Sequence, residues 1–175
     1  MKFELLKLLA LLVVLALLLP VAINLGKSLF RSIAVNSIVK THENGKISRA
    51  CEEAFAIRHL LCKVGTAPGT QVKICTDGDV PLGVLQDEAT AADVTDASPR
   101  TVALLGVTPG TIKMVASAAI TAGAKVYTED GGKVQPITVA AGTYYEVGTA
   151  LTAASTDGDE IEVAHCYPIA TVITE

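Results

Sequence analysis

Hydrophobic and polar positions follow two different patterns along this chain. Leu8 to Gly26 is a run of 19 residues without a charge. It predicts an apolar helix, because roughly 18 or more such residues can cross a bilayer as a helix. From His59 onward, apolar and polar positions alternate in short segments, which is the period of half-buried strands. The segments predict strands at 60–64, 70–75, 82–85, 100–105, 111–116, 125–128, 133–135, 144–151 and 160–165.

Gly, Pro or Asp-Gly separates nearly all of these predicted strands. Many short strands with such punctuation are typical of a small barrel or sandwich. The polar loop at 89–98 has room for a helical turn, although Thr and Asp are poor helix formers. The predicted fold class is therefore mainly β: a small β-barrel or sandwich of short strands, preceded by an N-terminal apolar helix.

Two stretches of the chain repeat the same order of turns and strands. Gly69 is followed by the turn Asp77–Asp79 and then by Pro81–Leu85. Gly123 is followed in the same way by Asp130–Gly132 and then by Tyr145–Leu151. The parallel order predicts an internal duplication of one β-unit.

The change of pattern divides the chain into three predicted segments. Residues 1–36 are an apolar helical arm or a membrane- or signal-like segment, and 59–175 form the β-domain. Residues 37–58 read as a linker with a short hairpin. Asn44-Gly45 is a strong hairpin signal, and it would join strands at 37–41 and 46–51.

The charge-free run allows three interpretations. Lys2 and Lys7 before it suit a membrane helix or a signal peptide. Glu4, Pro20 and the absence of a clean cleavage site argue against both. The third interpretation is a helical arm buried in neighbouring protein, since a helix that is apolar all round needs burial. Its candidate assembly or anchor residues are Leu12, Val14, Leu18, Leu25 and Phe30.

Charge is distributed unevenly over the chain. Residues 1–58 carry 8 Lys or Arg and 4 Asp or Glu, whereas residues 59–175 carry 6 and 14, so the net charges are +4 and −8. An acidic β-domain repels nucleic acid, so no nucleic-acid partner is expected. The basic arm could dock on an acidic partner; the plainer interpretation is that acidic residues keep a turn-rich surface soluble.

The four cysteines are Cys51, Cys62, Cys75 and Cys166. None forms a C-x-x-C pair, so no metal site is expected. Cys62 and Cys75 lie symmetrically about the turn Pro68-Gly69, and two antiparallel strands would place them face to face. A disulfide between them is one expectation, and buried free thiols are the commoner alternative.

No pattern of reactive residues predicts catalysis or a cofactor. A nucleophile elbow and a phosphate-binding loop are missing from the sequence. His165 and Cys166 are neighbours, and neighbouring strand residues point to opposite faces. The acidic pairs Asp77/Asp79, Asp157/Asp159 and Glu160/Glu162 fit turn geometry and solvation better than hydrolysis. We therefore expect no enzyme activity and no cofactor.

Several phrases resemble the small capsid decoration, or cement, proteins of tailed bacteriophages. The phrases lie at 81–89, 120–127 and 147–155, followed by a closing strand at 157–163, so the resemblance covers about residues 59–165. It implies a β-barrel-like domain on the outer surface of a phage head. Such proteins gather as trimers, bind the major capsid protein, bridge capsomers and strengthen the shell.

Two functional hypotheses follow. The first is a non-enzymatic virion protein that decorates and stabilises a phage capsid by bridging capsomers. The alternative is a membrane-anchored or secreted β-domain binding protein held by residues 8–26, for which the location would be a membrane.

Overall fold

The structure is a computed structural model that describes residues 43–137 and 141–174, which are mainly β. The predicted arm lies outside these residues, as do the 37–41 half of the predicted hairpin and Leu12, Val14, Leu18, Leu25 and Phe30. Within the described residues there are eleven strands: β1 (Lys46–Cys51), β2 (Leu61–Val64), β3 (Gln71–Ile74), β4 (Gly83–Leu85), β5 (Arg100–Leu104), β6 (Ile112–Val115), β7 (Lys125–Thr128), β8 (Val134–Gln135), β9 (Gly142–Ala150), β10 (Glu160–Ala164) and β11 (Ile169–Ile173).

The first five strands form a closed barrel in the order β1-β3-β2-β4-β5, which we call the first barrel. Its pairs are antiparallel except β1 with β3. The predicted strand at 46–51 is confirmed, but its described partners are β5 and β3. Strand β1 therefore supplies one wall of the barrel.

A single turn of helix, α1 (Ala91–Thr95), connects β4 to β5. It forms in the polar loop because Thr90 and Asp93 make a capping box. Asp93 Oδ2 accepts from the Thr90 backbone N–H at 2.9 Å, and Thr90 Oγ1 accepts from the Asp93 N–H at 3.3 Å. These caps offset the poor intrinsic propensity of Thr and Asp.

The remaining strands form a sheet in the order β6-β10-β9-β7-β8, and β11 pairs with β9. A parallel bridge between Ala116 and Val134 connects the two ends, β6 and β8. We call β6 to β10 the second ring. Read in the opposite direction, its order is β6-β8-β7-β9-β10, which matches the first barrel strand for strand, including the one parallel contact.

The match between barrel and ring extends to individual residue pairs. In the barrel, Val102 lies between Leu85 and Ile47. In the ring, Val163 lies in the same way between Ala150 and Ile112. An antiparallel bridge outside the named strands also occurs in each unit, Phe55 to Ala89 and Ile120 to Ala154. The predicted internal duplication is thus present at the level of strand register.

The predicted alignment of the two repeats matches the turn at Gly69 with the wrong turn of the ring. Gly69 lies in the turn between β2 and β3, and the corresponding ring turn is Asp130–Gly132 between β7 and β8, not the turn at Gly123. The match of Pro81–Leu85 with Tyr145–Leu151 is correct. Turns built from small residues look alike in sequence, so the sequence alone does not show which two turns correspond.

Alternation within the strands builds two apolar clusters. Inward residues fill the first barrel: Ile47, Cys51, Cys62, Val72, Leu85 and Val102. The outward row Leu61, Val84 and Ala103 is also buried, and it packs with ring residues such as Met114 and Ile161. Because this second cluster contains residues of both sheets, it is a core that the barrel and the ring share.

Candidate functional site

Two of the carboxylates singled out in the sequence, Asp79 and Asp159, stabilise turns. Asp79 accepts from the Thr76 N–H at 2.8 Å and forms an ion pair with Lys63. Asp159 Oδ2 accepts from the N–H groups of Ser155 and Thr156 at 2.7 and 3.0 Å. These bonds hold the pKa of Asp159 below its usual value. The structure therefore supports the turn-forming interpretation over the hydrolytic one.

The histidines do not form a catalytic group in the described residues. His165 lies at a sharp turn with φ 54°, and the Cys166 thiol donates to the Val163 carbonyl at 3.2 Å instead of to a histidine. His42 is outside the described residues. No group of three His, Cys, Asp or Glu in 43–137 and 141–174 could hold a metal ion.

The sequence predicts that Cys62 and Cys75 face each other, but in the structure they do not. Both are buried free thiols. The register of β2 and β3 pairs Cys62 with Ile74, one residue short of Cys75. Adjacent strand residues point to opposite faces. Cys62 consequently lies in the core of the first barrel, whereas Cys75 lies in the cluster shared with the ring.

A charged cluster joins the first barrel to the second ring at Glu160. Its Oε1 lies 3.0 Å from His59 Nδ1 and 3.1 Å from Arg58 Nε, and its Oε2 lies 3.6 Å from Lys113 Nζ. Partial burial alone would raise the pKa of Glu160, but the hydrogen bonds from His59 and Arg58 lower it below its usual value. Glu160 is therefore a charged anchor between the two units.

His59 has a backbone conformation that few side chains adopt. Its φ is 64°, and its N–H donates to the Leu85 carbonyl at 2.7 Å. The equivalent ring position is Gly123, with φ 86° and a bond of 2.7 Å to the Ala150 carbonyl. A non-glycine residue in this region is uncommon, so a side-chain contact that accompanies this conformation is worth identifying. Here that contact is Glu160.

Two clefts flank this cluster. The larger, about 550 Å³, is lined by residues of both signs, among them Arg58, Asp87, Glu88 and Glu160. The smaller, about 230 Å³, is lined in part by Lys46, His59, Thr108 and Lys113. Sequence reasoning missed this junction, because only the correct alignment of the repeats shows that His59 replaces a glycine.

Apolar side chains that remain exposed mark further candidate contact surfaces. Three lie close together in sequence at the end of the chain: Tyr167 is 62% exposed, Ile169 51% and Val172 66%. We call residues 167–173 the C-terminal strip. The part of the chain that the structure describes holds no helix long and apolar enough to cross a bilayer.

The described residues thus combine duplicated β-units, turn-forming carboxylates and an exposed apolar strip. The family model of the phage cement protein matches residues 62–165, which is more than half of the chain. The chain therefore belongs to the phage cement protein family and is a structural protein of the phage virion. This family is structural and not enzymatic, which agrees with the expectation that the chain is no enzyme.

A solved structure shares the fold. The N base of the head fiber gp8.5 in bacteriophage phi29 has a TM-score of 0.50 and 14% sequence identity, and the match covers 74% of this chain and 97% of that chain. At this identity the likeness concerns the fold alone. Comparison with curated protein sequences gives no match.

Proposed function

We propose that this protein decorates the outer surface of a phage capsid and stabilises the shell by bridging capsomers. The observation that carries the proposal is the register-level duplication of the barrel in the ring. A bridging protein must bind on both sides of a seam, and two like units in one chain provide two sets of like loops. Tethering the two units makes the second contact intramolecular, which raises the overall affinity.

The charge of the β-domain supports an outer location. Residues 59–175 carry 6 basic and 14 acidic side chains. Such a surface repels packaged nucleic acid and is compatible with the solvent side of the shell. The phi29 protein of similar fold belongs to a head fiber by its description, and an external position here is consistent with that.

The major capsid protein is the proposed partner, and a homo-oligomer, a trimer, is the proposed assembly. Residues 1–36 are proposed as an assembly arm that inserts between neighbouring subunits. Replacing Leu12 and Leu18 with Asp would then abolish capsid attachment while leaving the β-domain folded. Normal attachment of this double variant would contradict the role of the arm without affecting the role of the β-domain.

Rebinding to undecorated capsids tests the proposed function. Particles produced without this protein are mixed with the purified full chain and sedimented, and their thermal rupture is followed by release of nucleic acid. We expect co-sedimentation up to a fixed number of copies per particle and a higher rupture temperature. Failure to sediment with particles would overturn the proposal, and binding without a change in rupture temperature would remove its stabilising part.

A further inference from the structure

Strand β11 is an edge of the second ring. It pairs with the first half of β9, from Ile169 opposite Glu146 to Ile173 opposite Gly142. Strand β10 pairs with the other half of β9, so β11 continues the line of β10 after the turn at His165. Among the described residues no strand pairs with the outer edge of β11.

This edge has no charged side chain to disfavour pairing with another chain, and Pro168 lies before the residues that pair with β9. Native edge strands are commonly guarded by charged side chains, especially Lys, that disfavour a further strand. The stretch from Tyr167 to Thr174 has no charged residue, and Ile169 and Val172 are more than half exposed. An uncharged apolar edge of this kind is a template for an added strand.

The strip is also held in position. The Gly106 N–H donates to the Cys166 carbonyl at 2.5 Å. The Tyr167 ring lies on Gly106 so closely that a Cβ there would come within 2.7 Å of it. Five consecutive pairs with β9 align the strand that follows. An edge ordered in advance loses little conformational entropy when a partner pairs with it.

From these observations we infer that the outer edge of β11 pairs with β11 of a second copy of this chain. The strand reads Ile-Ala-Thr-Val-Ile, nearly the same in both directions. Antiparallel pairing about a two-fold axis at Thr171 places Ile169 opposite Ile173 of the copy. Ala170 then faces Val172, a small residue against a larger one. A two-fold contact requires a self-complementary surface of this type.

Charge does not oppose this occupant at the contact itself. Two copies of the acidic β-domain repel each other through their net charge, whereas the C-terminal strip brings no charged side chain to the contact. On a shell, such a contact would connect neighbouring decoration proteins across two-fold axes, in addition to the contacts of the proposed trimer. The inference does not depend on the proposed binding to the capsid.

Charged substitutions of Thr171, the residue on the proposed two-fold axis, test the inference in solution without capsids. In Thr171→Lys or Thr171→Glu, like charges would face each other across the axis and weaken the contact. We expect the wild-type full chain to associate with rising concentration in analytical ultracentrifugation. Each variant alone should lose that step, and an equimolar mixture of the two should regain it as a heterodimer. Regained association excludes misfolding as the cause of the loss.

The matched controls are Val64→Lys and Val64→Glu, which place the same charges on an exposed residue of the first barrel. Both should associate like the wild type. The inference is overturned if the Thr171 variants keep the association step, or if their mixture does not regain it. It is equally overturned if the wild type shows no such step; loss of capsid binding by Thr171→Lys would then indicate that β11 pairs with a strand of the shell.

Discussion

Gly83 and Gly148 occupy equivalent positions in the first barrel and the second ring. A Cβ added to Gly83 would meet the Ala103 carbonyl and come within 2.7 Å of Val102 Cγ1. A Cβ added to Gly148 would come within 2.6 Å of both the Ala164 carbonyl and Val163 Cγ1. The same close approach of two neighbouring strands therefore recurs in both units.

Both glycines should resist substitution by alanine. In each unit a backbone carbonyl blocks the added methyl group, and a backbone atom cannot move aside without shifting its strand. We expect Gly83→Ala and Gly148→Ala each to lower the free energy of unfolding by about 1–3 kcal/mol, measured by urea denaturation. Gly142→Ala is the control in the same strand β9, because its nearest neighbour would be a side-chain atom at 3.4 Å. Equal stability of Gly142→Ala and Gly148→Ala would contradict the close-packing account.

His59 allows backbone strain to be separated from its contact with Glu160. His59→Ala removes the ring but keeps a Cβ at φ 64°, whereas His59→Gly also relieves the backbone. We expect His59→Gly to be more stable than His59→Ala by about 1 kcal/mol, the cost of the left-handed conformation for a residue with a Cβ. Urea denaturation measures the difference. If the two variants unfold at the same denaturant concentration, the backbone at this position is not strained.

The alternating strands were predictable from sequence because each has one buried face. Phrases such as Gln71–Ile74 and Glu160–Ala164 show this period directly. The internal duplication was visible too, through the matching phrases around Gly83 and Gly148. Its alignment was partly displaced, because turn residues report local backbone geometry and not which strands pair.

Contacts between distant segments could not be predicted from local patterns. The parallel pair of β1 and β3 and the Glu160 contacts with Arg58 and His59 depend on how the barrel and ring close. The Cys62 position depends on the length of the loop between β2 and β3, which shifts the register by one residue. Spacing symmetrical about Pro68-Gly69 could not reveal that shift.

Asp93 should stabilise the folded protein at neutral pH, and this stabilisation should be lost in acid. The Thr90 backbone N–H and hydroxyl, with Arg100, lower the pKa of Asp93 to about 2. A carboxyl group whose pKa is lower in the folded state than in the unfolded state stabilises the fold. This stabilisation is complete above the unfolded-state pKa of about 3.9 and is lost as the pH falls through the folded-state pKa. We expect the melting temperature to fall between about pH 4 and pH 2.

The control for this pH dependence is Asp93→Asn, which keeps the shape of the side chain but does not titrate. It should be less stable than the wild type at neutral pH and lose less stability over the acid range. The remaining loss comes from groups such as Asp79 and Asp159, whose pKa values are also lowered. Parallel acid curves for wild type and variant would show that Asp93 has no such role.

The cysteines should be unreactive in the folded protein. Burial raises the pKa of Cys75 to about 12 and those of Cys51 and Cys166 to about 11. Burial raises the pKa of Cys62 as well. Because the thiolate is the reactive form, alkylation at pH 8 should be slow in buffer. In denaturant without reductant, mass spectrometry should find four alkylated cysteines. A mass with two unlabelled cysteines would instead indicate a disulfide.

The most direct test of the bridging account is an electron cryomicroscopy reconstruction of particles decorated with the full chain. The account predicts density for the first barrel and the second ring on the outer surface, each in contact with a different capsomer across one seam. Particles lacking the protein should have no density there. A reconstruction in which both units of every copy contact the same capsomer, or in which the chain lies inside the shell, would contradict the account.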